Sequence, residues 1–325
     1  MNSASSSSSP PSFLESTVQQ YGSNMVMTGV QKPKKTKFLN VDTRFTNEYT
    51  YPKQQFNTME QYLITLPERI TDVKTIRVRS VEIPMSFFNF SAALGNNYFK
   101  CIDSATQVAT MCVLPDGNYT NMNDLQLVVN SQLYLSDVGN LQIIASEPTD
   151  LSANPPGSFY LVNIGPHTYE VDFDVDLYGN PDKYQFRSKM GWTLGFRDPS
   201  YSVINIDEGG AKTYTNSACN LNNIRYLYLV VDEFSNSFPN SFVAPMNQYL
   251  MNKKILARVC MDYSHYPYGS LLHGNESNGI VVTDIRTYQG KIDIQKLNVQ
   301  LVTEWGRPVN LNGLDFSFIL EIEHE

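Results

Sequence analysis

From Phe38 onward, short runs of alternating apolar and polar residues follow one another, separated by Gly, Pro, Asn and Asp. A period of two puts every second side chain on one face, the pattern of a half-buried β-strand. The clearest run is Val73-Lys74-Thr75-Ile76-Arg77-Val78-Arg79-Ser80-Val81-Glu82-Ile83-Pro84. Ile76 and Val78 share one parity and Val81 and Ile83 the other, so a bulge is expected at Ser80. Pro84 has no amide hydrogen to give a neighbour and should end the pairing. Phe87-Phe88-Asn89-Phe90 follows, and Asn96-Asn97-Tyr98-Phe99 opens the next strand.

The same reading predicts strands near 38–45, 60–66, 73–83, 97–102, 108–114, 141–146, 158–164, 168–176, 183–188, 225–233, 253–261, 280–286, 297–304 and 315–323. In the last two, Leu297, Val299 and Leu301 alternate with polar residues, as do Phe316, Phe318, Leu320 and Ile322. Trp305-Gly306-Arg307-Pro308 and Leu311-Asn312-Gly313 give a connection of hairpin length, so the two are expected to pair as a closing hairpin. One helix interrupts the strands, with Thr120 as N-cap, Asp124 in the first turn, and Met122, Leu125, Val129 and Leu133 on one face. No internal repeat and no linker between two halves is visible. Many short strands at this spacing predict an all-β fold, a β-sandwich with loop insertions occupying residues 38–325.

Residues 1–37 differ. Met1 to Ser12 is Ser-rich with Pro10-Pro11, too polar to bury a core, and reads as an extended, flexible N-terminal arm. Phe13-Leu14 and Met25-Val26-Met27 are sparse apolar anchors within it. The arm ends in Lys32, Lys34, Lys35 and Lys37, whose mutual repulsion keeps it extended. Four positive charges are too few for strong non-specific DNA binding, so a partner-docked or solvated arm is the better reading.

Composition narrows the class. Hydrophobic residues at 42% and aromatics at 12% belong to a folded chain rather than a disordered one. A net charge of −8 argues against a general nucleic-acid binder. Cys101, Cys112, Cys219 and Cys260 contain no Cys-x-x-Cys pair and read as buried thiols of a reducing compartment. No signal peptide is expected, and no apolar run approaches the ~18 residues of a membrane span. Asn89, Asn118 and Asn275 match the glycosylation acceptor pattern but are expected to stay unmodified without a secretory route.

Chemistry-bearing clusters are sparse. Asp172, Asp174 and Asp176 alternate along one run and could attract calcium, but Leu177 and Lys183 stand where an EF-hand needs Gly and Glu. A solvated strand face is the stronger reading. Cys260, His265 and His273 fall short of a zinc set. No nucleophile elbow, P-loop or dinucleotide fingerprint occurs, so no catalytic residue, metal or cofactor is assigned. Two aromatic loops carry the functional hint: Phe234, Phe238, Phe242 and Tyr249 in one, Tyr263, Tyr266 and Tyr268 in the other. Aromatics on loops are what protein interfaces use as anchors. The competing reading tucks these rings under their own loops.

Five segments, in order, resemble a group of minor capsid proteins of nucleocytoplasmic large DNA viruses. They are Ser80-Val81-Glu82-Ile83-Pro84, Asn96-Asn97-Tyr98-Phe99, Pro115-Asp116-Gly117-Asn118-Tyr119-Thr120, Leu194-Gly195-Phe196 and Leu311-Asn312-Gly313-Leu314-Asp315-Phe316-Ser317-Phe318. The resemblance implies a jelly-roll sandwich without catalysis. It also implies a structural role in the virion, bridging major capsid capsomers to one another or to the inner layer. The implied partners are the major capsid protein and other minor capsid proteins, near the inner viral membrane. Assembly in the host cytoplasm or viral factory follows from the same likeness. Two alternatives stay open: a penton at the five-fold vertices, acting as a homo-pentamer, and a carbohydrate-binding jelly-roll module. An enzyme of glycan metabolism ranks third, for want of any recognisable site.

Overall fold

The computed structural model describes residues 20–21, 25–26, 33–45, 62–147, 149, 155–182, 186–210, 212–235, 244–245, 250–251, 254–283 and 285–325. In chain order the strands are β1 (Gln20–Tyr21), β2 (Met25–Val26), β3 (Lys35–Asp42), β4 (Tyr62–Pro84), β5 (Tyr98–Asp103) and β6 (Ala109–Val113). After helix α1 (Met122–Leu135) come β7 (Leu141–Ala145), β8 (Phe159–Asn163) and β9 (Tyr169–Asp172). Helix α2 (Met190–Leu194) precedes β10 (Ser200–Val203), β11 (Thr213–Tyr214), β12 (Tyr226–Asp232), β13 (Ala244–Pro245) and β14 (Leu250–Met251). The chain closes with β15 (Ile255–Cys260), β16 (Leu271–Asn275), β17 (Val281–Thr283), β18 (Arg286–Thr303) and β19 (Ser317–His324). Every pairing between these strands is antiparallel. The architecture is a jelly-roll-type β-sandwich.

The main sheet runs β17-β15-β12-β18-β4-β19-β3, with β16 also on β4. The long strand β4 organises it. One edge of β4 takes β18 along residues 62–76 and then β16 along 80–84, while the other edge takes β19 along 73–82. Pairing between β4 and β18 slips where Asp72 (φ 53°) and Gly290 (φ 104°) enter the left-handed region, so both strands bend there and the sheet curls. Ile76, Val78, Val81 and Ile83 all face the main core, with Leu227, Val299, Phe318 and Leu320. Their shared face depends on the bulge: β19 pairs Ile319 with Ser80 but Leu320 with Val78, leaving Arg79 as the extra residue. Each fully buried side chain of this kind contributes about 1.5–3 kcal/mol.

Residues between β4 and β12 carry a second core. Here the sheets β10-β9-β5-β6 and β11-β8-β7 enclose Phe90, Phe99, Phe159, Phe173 and Phe196. Helix α1 seals it with Leu125, Val129 and Leu133, the expected apolar face. Its N-cap is Asn121 rather than Thr120, the Asn121 side chain accepting from the Asn123 amide. The short α2 was not expected, and the described part of the run expected as a strand at 183–188 is a 3-10 turn, Phe186–Ser188. That turn delivers Lys189 to a fully buried position, where its ammonium pairs with Asp182 and donates to the Val175 carbonyl at 2.9 Å. The buried ammonium is tolerated because a carboxylate and a carbonyl both meet it.

The closing hairpin does not form. β18 pairs with β12 and β4, β19 pairs with β4 and β3, and β4 lies between them. Alternation fixed which faces of the two strands are buried, but a 23-residue neighbour with two free edges offers each more pairing than they offer each other. The runs expected at 60–66 and 73–83 join into this single β4. The arm also ends earlier than its charge suggests, because Lys35 to Lys37 are strand residues opposite His324 to Ile322. Lys34 meets Glu323 at 3.6 Å and Lys37 meets Glu68 at 3.1 Å, so acidic neighbours offset the lysine repulsion.

Candidate binding cleft at the junction of the two cores

Three of the five segments that carry the capsid resemblance, those at 96–99, 115–120 and 311–318, supply hydrogen bonds near the place where the second core joins the sandwich. The Asn89 amide donates to the Tyr119 and Leu221 carbonyls at 2.7 and 3.0 Å and accepts from the Tyr119 amide at 2.8 Å. Asn96 donates to the Asn89 carbonyl at 2.7 Å and accepts from the Ser91 amide at 2.9 Å. Asn97 donates to the Leu114 carbonyl at 2.8 Å and to the Asp116 carboxylate at 2.9 Å. On the sandwich side, the Ser86 hydroxyl donates to the Leu311 carbonyl at 2.6 Å, and Asn312 returns a bond to the Ser86 carbonyl at 2.6 Å. Asn89, Asn96 and Asn97 are buried, so these bonds satisfy loop backbone that water cannot reach. Of the other two, Ser80–Pro84 is the end of β4, and Leu194-Gly195-Phe196 turns the chain at Gly195 (φ 108°), where an added Cβ would stand 2.0 Å from the Ser217 carbonyl oxygen.

Beside these bonds lies a cleft of about 340 Å³, lined by residues from the segments that flank the two cores. Arg187, Arg197, Arg225 and Arg307 face it, as do Trp192 and Trp305, the chain's two tryptophans. The Arg197 guanidinium stacks 4.0 Å from the centroid of the Trp192 ring, and that of Arg187 lies 5.3 Å away. Arg197 is also pinned by donation to the Trp192 and Phe196 carbonyls at 2.9 and 3.0 Å. Arg307 donates to the Leu94 carbonyl. Glu304 is the one acidic lining residue among those described. Burial pushes its carboxyl above the usual range, against the pull of Arg225 at 3.7 Å. Among the described residues Arg187, Arg197 and Arg307 meet no carboxylate within 4 Å. The sequence pattern assigns none of these residues to a site, and it places Trp305 and Arg307 only in a hairpin connection. The one available signal was that Trp192 and Trp305 each sit within five positions of an arginine on both sides or between Glu304 and Arg307.

The aromatic loops divide. Phe238, Phe242 and Tyr249 lie outside the described residues. Phe234 is 60% exposed, in the left-handed region (φ 61°), just past the end of β12. Tyr268 is 48% exposed and stacks on Phe88. Tyr263 instead packs against the main core and donates its hydroxyl to the Ile224 carbonyl at 2.7 Å, and burial raises its pKa. Tyr266 packs there too, with its hydroxyl 3.3 Å from the His273 carbonyl. Tyr263 and Tyr266 are therefore committed to their own domain. Lys32 lies outside the described residues, and Lys34, Lys35 and Lys37 follow the edge of the sandwich.

The acidic run separates rather than converging. Asp172 pairs with Lys100 at 3.6 Å, Asp176 caps a turn through the Tyr178 and Asn180 amides, and burial raises the Asp174 carboxyl. Among the described residues no group of three His, Cys, Asp or Glu side chains is arranged to hold a metal. Ser264, His265 and Asp262 adjoin, but His265 uses the same Nδ1 toward both partners, at 3.2 and 2.7 Å. A nucleophilic relay needs the two ring nitrogens to serve different partners, so this is a turn and not a triad. Cys101 and Cys112 are buried, and burial pushes the Cys112 thiol up to about 12.

No protein-family model matches the chain, and no curated protein matches it. Among solved structures it is similar to the SeMet-labeled mavirus penton protein, with a TM-score of 0.45 and 10% identity over 90% of this chain and 99% of that one.

Proposed function

We propose that this protein is a structural component of an icosahedral capsid, a minor capsid protein that bridges major capsid capsomers to one another or to the inner layer. The observation that carries the reading is the junction. Three segments that resemble those of minor capsid proteins, far apart in sequence, supply hydrogen bonds on the two sides of the junction between the second core and the sandwich. Residues used this way act through shape, and no bond is made or broken. The partners are the major capsid protein and other minor capsid proteins, the location is the virion, and Phe234 and Tyr268 are the exposed aromatic anchors.

Purified particles test the reading. The protein should copurify with them at fixed stoichiometry, and particle density should place it between capsomers. Absence from particles refutes the proposal. A pentameric ring at the vertices would replace bridging with the penton role, and glycan binding without incorporation would replace both with the carbohydrate-binding module.

A further inference from the structure

We propose that the cleft between the two cores binds a compact ligand carrying two or more oxyanion groups, whether phosphate, sulfate or carboxylate. The inference stands on the cleft alone and holds whether or not the protein joins a shell.

Charge comes first. A chain of net charge −8 gathers four arginines and one glutamate around a single concavity. The described residues contain many arginine–carboxylate pairs, such as Arg77 with Glu321 at 3.0 Å and Arg286 with Glu233 at 2.7 Å. Arg187, Arg197 and Arg307 depart from that habit. Like charges this close repel, and such an arrangement persists only where other contacts hold it. Those contacts are present: Trp192 lies beneath two of the guanidiniums, and backbone carbonyls fix Arg197 and Arg307. Each guanidinium keeps further N–H groups in a rigid planar fork that matches an oxyanion.

The other polar groups of the lining narrow the ligand further. Asn96 and Asn223 spend their amide donors on the Asn89 carbonyl, and the Thr303 hydroxyl accepts from the Trp305 and Arg307 amides. What remains to meet a ligand is mainly guanidinium and indole N–H, which are donors only, with Asn223 Oδ1 a buried acceptor that meets no partner among the described residues. An acceptor-rich ligand satisfies the guanidinium forks, and Asn223 Oδ1 and Glu304 leave acceptors for a hydroxyl on that same ligand. Size and layout favour a small molecule. About 340 Å³ lies at the lower end of small-ligand pockets. The arginines come from separate segments around a single small concavity, so an extended acidic peptide or a nucleic-acid backbone fits less well than a compact ligand.

Both tryptophans of the chain line the cleft, so their emission reports on this site alone. Pyrophosphate and citrate at millimolar concentration should change that emission saturably, while sodium chloride at matched ionic strength should not. Replacing the two rim residues together, Arg187→Gln with Arg225→Gln, should weaken pyrophosphate at least about 100-fold, taking roughly tenfold for each charged hydrogen bond lost. The double Lys variant, which keeps charge but loses the fork, should recover part of the affinity. Arg69→Gln, on the opposite pairing of β4 with Asp293, should leave it unchanged. Circular dichroism verifies that each variant is folded. A sulfated disaccharide that binds more tightly than pyrophosphate identifies a glycan terminus as the source of the same chemistry. The proposal is overturned if chloride reproduces the response, if the rim variants bind normally, or if a Glu-rich hexapeptide binds and pyrophosphate does not.

Discussion

Replacing Arg286 with Met should destabilise the protein by about 3–5 kcal/mol, the cost of leaving a buried charge without its partner. Arg286 is 2% exposed at the start of β18, where it reaches β12 and β15. Its Nη1 donates to Glu233 at 2.7 Å and to the Val231 carbonyl at 2.9 Å. Its Nη2 donates to the Lys254 and Ile255 carbonyls at 3.0 and 3.3 Å. Methionine fills similar space but strands the fully buried Glu233 carboxylate and withdraws a donor from three carbonyls. Glu233→Gln should cost less, about 1.5–3 kcal/mol, because the amide oxygen still accepts while the charge is lost. The combination Arg286→Met with Glu233→Leu should be less damaging than the two single losses added together, since no unpaired charge remains. Urea unfolding followed by circular dichroism measures these differences, and a fall in Tm of about 10 °C should accompany the Arg286 change. A loss under about 1 kcal/mol for Arg286→Met, or strict additivity in the double variant, would refute the view that this pair ties β12, β15 and β18 together.

Further outcomes follow from the same structure. Phe318→Asp should unfold or aggregate the protein because Phe318 is 1% exposed in the main core, whereas Ser317→Asp, on the solvent side beside Glu82, should cost about 1 kcal/mol or less in urea titration. Asp262 is held at about 2 by the Ser264 hydroxyl and then by His265, so its folded value lies below its unfolded one. Its contribution is complete above pH 3.8 and is lost as the pH falls toward 2; Ser264→Ala should raise the value in an NMR titration, and no movement would contradict the assignment. Deleting residues 1–32 should leave Tm nearly unchanged yet reduce incorporation into particles, and normal incorporation would remove the arm's docking role. In native protein at pH 8, Cys112 should resist alkylation until urea is added, because it is buried and its thiol titrates near 12.

Local pattern determined much of the secondary structure. Period-two alternation marked Ile76, Val78, Val81 and Ile83 as core, and the change of parity marked the bulge beside Ser80. Helical spacing marked Leu125, Val129 and Leu133. These signals are legible because the burial of each side chain is set by its own neighbours along one element. Strand partnership is not such a property. β18 and β19 carried the right faces for a hairpin, yet both pair with β4, since backbone hydrogen bonding is blind to which alternating strand supplies it. The cleft was beyond local pattern for the same reason. Arg187, Arg197 and Arg225 lie between β4 and β12 and Arg307 between β18 and β19, and alone each reads as an ordinary surface cation. Only the junction, held by Asn89, Asn96 and Asn97, brings them to one concavity, because chemistry shared by distant segments exists only after the backbone between them has folded.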